Sequence, residues 1–180
     1  IYRGYEIADL AANASFEEVA FLLLVGHKPN PQELTDFDAR LKAARTPPRA
    51  ATALIREIAK TAPSTHPMSA LRTAVSMAGH LDHDCEDNGP EAELAKSIRL
   101  TAMIPTLIGA HQTALDGKDE IQADVELSHA GNLLWCMTGE KPGELATKVM
   151  DVSLVLYAEH DFNASTFTSR VVASTNSDLH

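Results

Sequence analysis

The chain has 180 residues, of which 44% are hydrophobic, enough for the core of one ordinary domain. Its formal net charge of −10 argues against a general nucleic-acid or membrane-surface binder, because both functions need a basic face. The longest apolar stretch, Val19 to Val25, is too short to span a bilayer. We therefore expect no nucleic-acid partner and no membrane segment.

Two further features concern where the protein is found. The two cysteines, Cys85 and Cys136, do not make a disulfide framework and suit a reducing cytoplasm, where we expect the protein to be located. The chain starts at Ile1 with no leader pattern after it. We therefore expect it to be part of a longer gene product.

Helix start and stop signals recur along the first half of the chain. Ser15-x-x-Glu18 is a capping box before an apolar run that Gly26 can close, and Asn30-Pro31-x-Glu33 opens a second helix. Pro47 and Pro48 end that second helix. Apolar residues at helical spacing then predict helices over about 50–62 and from Pro67 onward.

The second half of the chain continues the helical pattern. Asn88-Gly89-Pro90 predicts the start of a long helix that extends to Leu115, with Pro105 expected to kink it. Further helices are expected at about 126–138, 142–161 and 164–174. Residues 121–125 are the only short candidate for a strand. The sequence therefore predicts an all-α, multi-helical fold, with no internal repeat or flexible linker.

The segment His80–Asp87 combines two histidines, a thiol and four carboxylates. A zinc site needs four converging ligands, and no second cluster is evident elsewhere in the sequence. A calcium loop is disfavoured because Asp87 occupies the position that requires glycine and Pro90 interrupts the loop. We expect a solvated loop between two helices here, and no metal site.

The other histidines have less distinctive surroundings. His66 precedes Pro67 and is interpreted as a structural residue, either a helix cap or a core side chain. His27, His111 and His129 stand alone in the sequence, with no partner suggested by their spacing.

The most informative stretch is Ala158–Thr166, which follows an apolar helical run. His160 and Asn163 are about one helical turn apart, so both side chains can reach the same volume. An imidazole and a carboxamide at a helix end are suited to hold a small polar anion. Glu159 and Asp161 point in other directions, so this segment is a poor metal chelate.

This stretch resembles the A-x-H-x-x-N-A-S-T segment of the citrate synthase family, and in particular its 2-methylcitrate synthase branch. Other motifs follow in the family's order. They are Tyr2-Arg3-Gly4-Tyr5, Ser15–Ala20, Gly26-x-x-Pro29, His66-Pro67-Met68 and Gly139–Pro142. The resemblance runs from end to end, and it assigns residues 1–180 to the N-terminal part of the family's large helical domain.

The resemblance implies the condensation of an acyl-CoA, either acetyl-CoA or propionyl-CoA, with oxaloacetate to citrate or 2-methylcitrate. It implies no metal and no prosthetic group. His160 and Asn163 would bind the oxaloacetate. Arg40 matches a basic position that some family members use toward substrate, although an exposed helix arginine is the default interpretation.

The sequence departs from the family where most of the chemistry would be done. The family's enol-stabilising histidine, its later histidine, its aspartate base, its C-terminal arginines and its small domain have no counterpart in residues 1–180. We therefore assign no catalytic residue to this fragment and expect it to be inactive alone. The alternative is a non-enzymatic helical interaction or scaffold domain.

Two structural expectations follow. The resemblance implies a homodimer, with residues 67–79 and 91–115 at the interface through faces rich in alanine. These alanines are Ala70, Ala74, Ala78, Ala95, Ala102 and Ala110. Near the C-terminal end, Phe167, Val171 and Val172 are expected to form an apolar face with little to cover it within residues 1–180.

Overall fold

The computed structural model describes residues 1–159, 164–175 and 177. Within them the chain forms nine α-helices and no strand, which confirms the all-α prediction. In chain order the helices are α1 (Ile7–Asn13), α2 (Phe16–Val25), α3 (Pro31–Ala43), α4 (Arg49–Thr61), α5 (Pro67–Gly79), α6 (Pro90–Leu115), α7 (His129–Thr138), α8 (Glu144–Tyr157) and α9 (Ala164–Ala173). None of the described helices is long and apolar enough to cross a membrane.

The predicted helix starts are confirmed by their hydrogen bonds. Ser15 and Glu18 form the capping box of α2, and Asn30 and Glu33 form that of α3. Gly26 ends α2 in the left-handed conformation, with φ at 103°, a conformation that a side chain would strain. These local hydrogen bonds satisfy backbone N–H groups that would otherwise lack partners at the first turn.

Regular structure differs from the sequence analysis at two places. Residues 121–125 form no strand but part of an irregular segment between α6 and α7. Helix α1 was not predicted, because its seven residues carry no side-chain cap and only Leu10 is buried. The other helices differ from the predicted bounds by a few residues, with α8 ending at Tyr157 instead of 161.

Helix α6 is the centre of the fold, since it packs against α2, α3, α4, α5 and α7. One apolar cluster joins it to α4 and α5, and a second joins it to α2 and α3. A third cluster, formed by α1, α2 and α8, lies around Tyr2, Leu22 and Val155. Helix α8 lies at one side of the bundle, where it packs against α1, α2 and α7.

The alanine faces assigned to a dimer interface lie instead inside the chain. Five of the six alanines are buried against neighbouring helices of the same molecule. They are Ala70, Ala74, Ala78, Ala102 and Ala110. Small residues do allow close helix approach here, but between α4, α5 and α6 of one chain. The alanines therefore give no support to the homodimer.

Helices α6 and α7 are in close backbone contact at Gly109. A Cβ atom built on Gly109 would lie 2.4 Å from the carbonyl oxygen of Cys136, in the backbone of α7. Real Cβ atoms do not tolerate such a contact, and a backbone atom cannot swing aside as a side chain can. The contact therefore requires glycine at position 109.

A buried polar cluster lies between the end of α3 and the start of α7. Arg45 is 1% exposed, and its Nη1 donates a hydrogen bond to the carbonyl oxygen of Asp124 at 2.5 Å. Asn132 accepts from the backbone N–H of Asp124 at 2.9 Å. Thr106 of α6 donates to the carbonyl oxygen of Arg45 at 2.7 Å. These bonds hold the irregular segment before α7 against the bundle.

His129 lies beside this cluster, and its buried Nδ1 has no hydrogen-bond partner among the described residues, in agreement with its description as a histidine without a partner. Its backbone N–H donates to Glu17 at 2.7 Å, and its ring stacks on Phe16 with a centroid distance of 4.7 Å. Burial, helped by the positive charge of Arg45, lowers the pKa of His129 to about 4. The imidazole is therefore neutral near pH 7.

We predict that Gly109→Ala lowers the free energy of unfolding by about 1–3 kcal/mol, despite the better helix propensity of alanine. The reason is the backbone contact with Cys136. Gly131→Ala within α7 is the matched control, because its Cβ would come no closer than 3.3 Å, to the Ser128 side chain. Urea denaturation of both variants measures the difference, and equal stability of the two would contradict the account.

We also predict a pH dependence that originates at His129. Between pH 6.5 and 4 the unfolded chain binds a proton at this residue and the folded chain does not, so stability falls as the pH falls. The slope from this group is about 1 kcal/mol per pH unit. His129→Phe should flatten the curve in that window. Parallel curves for the two proteins in urea titrations would contradict the assignment.

Candidate functional site

The segment that the sequence singles out follows α8. Its candidate substrate-binding residues, His160 and Asn163, lie outside the described residues. The structure describes the chain on both sides of that segment. Helix α8 and the residues up to Glu159 precede it, and α9 follows it from Ala164.

The inner face of α8 is fixed by apolar packing. Val155 is fully buried, and it contacts the cluster formed by Tyr2, Leu10 and Leu22, against which Ala158 also packs. Burial of a side chain of this size stabilises the fold by about 1.5–3 kcal/mol. The last turn of α8 is therefore held against α1 and α2.

A hydrogen bond fixes the middle of α8 to the start of α2. The Asp151 carboxylate accepts from the backbone N–H of Phe16, the first residue of α2, at 2.9 Å. A carboxylate at this position also faces the positive end of the α2 dipole. Lys148, one turn earlier on α8, lies 3.8 Å from the same carboxylate. This interaction sets the position of α8 along α2.

The end of α8 is held by the hydroxyl group of Tyr2. This oxygen lies 3.0 Å from the carbonyl oxygen of Val155 and 3.1 Å from that of Leu156. It also contacts the backbone of Glu159, accepting from its N–H at 3.2 Å and donating to its carbonyl oxygen. Carbonyl groups in the last turn of a helix lack partners within the helix, and Tyr2 meets that need from the other end of the chain.

Sequence reasoning missed this role of Tyr2. The residue was noted only as part of an N-terminal motif, and more than 150 positions separate it from the atoms that it contacts. Nothing in local spacing reveals a contact of that range. The one available signal was a tyrosine beside Arg3-Gly4, a pair that can adopt a tight turn with positive φ.

The outer face of α8 and the whole of α9 remain uncovered in the described residues. Leu145 is 80% exposed, and Val149 and Leu156, which follow it at helical spacing, are also exposed. On α9, Phe167 is 70% exposed and both Val171 and Val172 are exposed. This confirms the expected apolar face near the C-terminal end. Both helices that flank the His160 segment therefore present apolar side chains to solvent.

Arg40 lies in a different place. It is exposed near the C-terminal end of α3, on the wall of a cavity of about 570 Å³ that is also lined by Leu81, Ile98 and Arg99. No residue of α8 lines this cavity. Arg40 and α8 therefore do not share this cavity, and the role of Arg40 toward the substrate stays a prediction.

The acidic loop between α5 and α6 is organised by a cation from α6. Arg99 donates to both oxygens of Asp82, at 2.9 and 2.7 Å, and to Asp84 at 2.9 Å. Among the described residues, only Asp82, His83 and Asp84 bring potential metal ligands within 4.8 Å of one another. A guanidinium ion already neutralises two of these three groups, so a metal ion would have to compete with it.

Two other histidines have structural roles. His66 caps α5, its Nδ1 accepting from the backbone N–H of Met68 at 3.2 Å, as its structural interpretation predicted. His27, which the sequence left without a partner, lies 3.2 Å from the carboxylate of Glu33 and packs edge-on against Phe21. The expectation that His27 has no partner is therefore wrong.

Comparison with known proteins places these features in a family. The chain matches the family model described as "Citrate synthase, C-terminal domain" over residues 1–180. It is 42% identical to a citrate synthase of Deinococcus radiodurans, covering 99% of this chain and 47% of that protein. A 2-methylcitrate synthase of Shewanella oneidensis is also 42% identical, with 99% and 46% covered.

A solved structure gives the same result. The citrate synthase of Pyrobaculum aerophilum superposes with a TM-score of 0.92 at 37% identity, covering 99% of this chain and 46% of that one. The chain thus spans under half the length of these relatives. By sequence along its whole length and by fold, it belongs to the citrate synthase family.

Proposed function

We propose that the complete protein condenses an acyl-CoA with oxaloacetate, releasing free CoA. The observation that carries this proposal is the identity of about 42%, over 99% of the chain, to proteins named citrate synthase and 2-methylcitrate synthase. Because the two names occur at equal identity, the proposal includes both acetyl-CoA and propionyl-CoA. The two cysteines form no disulfide with each other, which is compatible with the cytoplasmic location expected above.

In the proposed reaction a carboxylate base removes a proton from the carbon next to the thioester. The resulting enol attacks the ketone carbon of oxaloacetate, and hydrolysis then cleaves the thioester. His160 and Asn163 would bind the oxaloacetate through hydrogen bonds and hold it in place for this attack. The proton-transfer chemistry would be done by residues outside 1–180.

The contacts that hold α8 in place favour a substrate-binding role for His160, with proton transfer done by residues outside 1–180. A group that binds and orients a substrate must be held in place before the reaction, because a misplacement of about 1 Å can cost up to about 10²-fold in rate. Asp151 fixes the middle of α8 and Tyr2 fixes its end, at Glu159. The chain therefore reaches position 160 from a backbone that is fixed by two long-range contacts.

The homodimer implied by the family resemblance is retained as a proposal with a changed interface. The alanines of α5 and α6 pack within the chain, so a dimer contact through these helices has to use their outward residues. Met68, which is exposed at the start of α5, is one such residue.

The test is the variant His160→Ala in the complete protein, assayed by thiol release with acetyl-CoA or propionyl-CoA. Loss of a side chain that binds and orients oxaloacetate should lower kcat/KM for oxaloacetate by about 10²-fold, with a higher KM for oxaloacetate and a lower turnover. His83→Ala is the matched control, since the His83 side chain is 82% exposed on the acidic loop. Near-normal kinetics of His160→Ala would overturn the assignment of His160.

The same assay addresses the alternative function. If the complete, folded protein shows no condensing activity with either acyl-CoA, the non-enzymatic interaction domain is favoured instead. The exposed apolar residues of α8 and α9 would then be the surfaces to examine.

A further inference from the structure

Three features distinguish the Tyr2 side chain. Its side chain is 2% exposed, its hydroxyl group reaches the last turn of α8, and that hydroxyl contacts both backbone polar groups of Glu159. A buried hydroxyl has one proton to donate and can also accept. The carbonyl oxygens of Val155, Leu156 and Glu159 all lie within reach of the hydroxyl proton. The backbone N–H of Glu159 donates a hydrogen bond to the hydroxyl oxygen.

The backbone that carries Tyr2 is itself held firmly. Tyr2 and Tyr5 exchange two backbone hydrogen bonds of 2.9 Å across a tight turn. Arg3 and Gly4 within the turn both have positive φ, at 50° and 93°, as a tight two-residue turn of this type requires. The Arg3 side chain donates to the carbonyl oxygen of Leu23 in α2 at 3.2 Å. The turn is thereby anchored to the same bundle that supports α8.

We propose that Tyr2 is a positioning residue for substrate binding, which acts by fixing the backbone at Glu159 and thereby the starting point of the His160 side chain. The Cα atoms of consecutive residues are separated by about 3.8 Å, so fixing residue 159 constrains where residue 160 begins. The inference rests on the proposed function, in which His160 contacts oxaloacetate. It assigns to an N-terminal residue a role in a site that lies near the other end of the chain.

The hydroxyl group, and not the ring, carries this role. The ring of Tyr2 packs with Leu10, Leu22 and Val155, and Tyr2→Phe preserves that packing. What the substitution removes is the bond network at the end of α8. A misplacement of about 1 Å at a reacting group can cost up to about 10²-fold in rate. Loss of the hydroxyl should therefore affect the oxaloacetate step more than the fold.

The experiment measures steady-state kinetics of Tyr2→Phe in the complete protein, with each substrate varied in turn. The KM for oxaloacetate should rise about tenfold, while the KM for the acyl-CoA stays within about twofold of wild type. Tyr5→Phe is the matched control, since Tyr5 lies in the same turn but is partly exposed and contacts Lys28. Equal rises in both KM values, or no rise in either, would overturn the proposal.

A double-mutant cycle with His160→Ala tests whether Tyr2 acts through His160. If it does, Tyr2→Phe adds no further rise in the KM for oxaloacetate once His160 is removed. Independent, multiplicative effects would overturn the proposal. If His160→Ala alone has no effect, the proposed function of His160 fails. If only Tyr2→Phe has no effect, the positioning role fails by itself.

A second variant keeps the test valid if Tyr2→Phe folds poorly. Replacement of Tyr2 by 4-aminophenylalanine retains a group at the same position that both donates and accepts hydrogen bonds. Circular dichroism establishes that each variant is folded at the assay temperature. Recovery of the wild-type KM for oxaloacetate with the amino group supports the role. A folded amino variant whose KM stays tenfold raised would overturn it.

Discussion

The fold depends on the close contact between α6 and α7 at Gly109. A single methyl group there would lie 2.4 Å from a backbone oxygen of α7, so the two helices meet with no side chain between them. Helix α6 packs against five other helices, and α7 in turn packs against α8. The position of α8 therefore depends, through α7, on this one contact.

Buried polar interactions then fix the relative positions of helices that apolar packing alone sets only roughly. Helix ends are joined to distant parts of the chain by a few buried groups: Glu17 binds the start of α7, Asp151 binds the start of α2, and the Tyr2 hydroxyl binds the end of α8. Each interaction satisfies backbone groups that a helix leaves without partners at its ends. Because each also joins two helices, together they determine how α2, α7 and α8 are arranged.

Much of the fold could be predicted from the sequence because its signals are local. The capping boxes at Ser15 and Asn30, and the glycine that ends α2, involve residues within four positions of one another. Helix α1 escaped prediction because it has few local signals and is stabilised by packing under α8. The alanine faces were seen correctly, but periodicity does not say whether a small-residue face meets its own chain or a second one.

The candidate site divides in the same way. The His160 segment was identified by its own motif, whereas its support by Tyr2 and Asp151 depends on contacts across more than 130 positions. Arg40 was identified from the family resemblance, and the acidic loop from its residue types. The structure places Arg40 on α3 and the acidic loop between α5 and α6, where Arg99 pairs with Asp82 and Asp84. Electrostatic partners contributed by distant helices are invisible to a local search.

The central claim is that Tyr2 fixes the end of α8 and thereby positions His160 for substrate binding. The most direct measurement is a crystal structure of the complete protein with oxaloacetate bound. We predict the imidazole of His160 within hydrogen-bond distance of the oxaloacetate, and the Tyr2 hydroxyl still bonded to the backbone of Glu159. Oxaloacetate bound with no contact to His160, or a Tyr2 hydroxyl detached from Glu159 in that complex, would contradict the account.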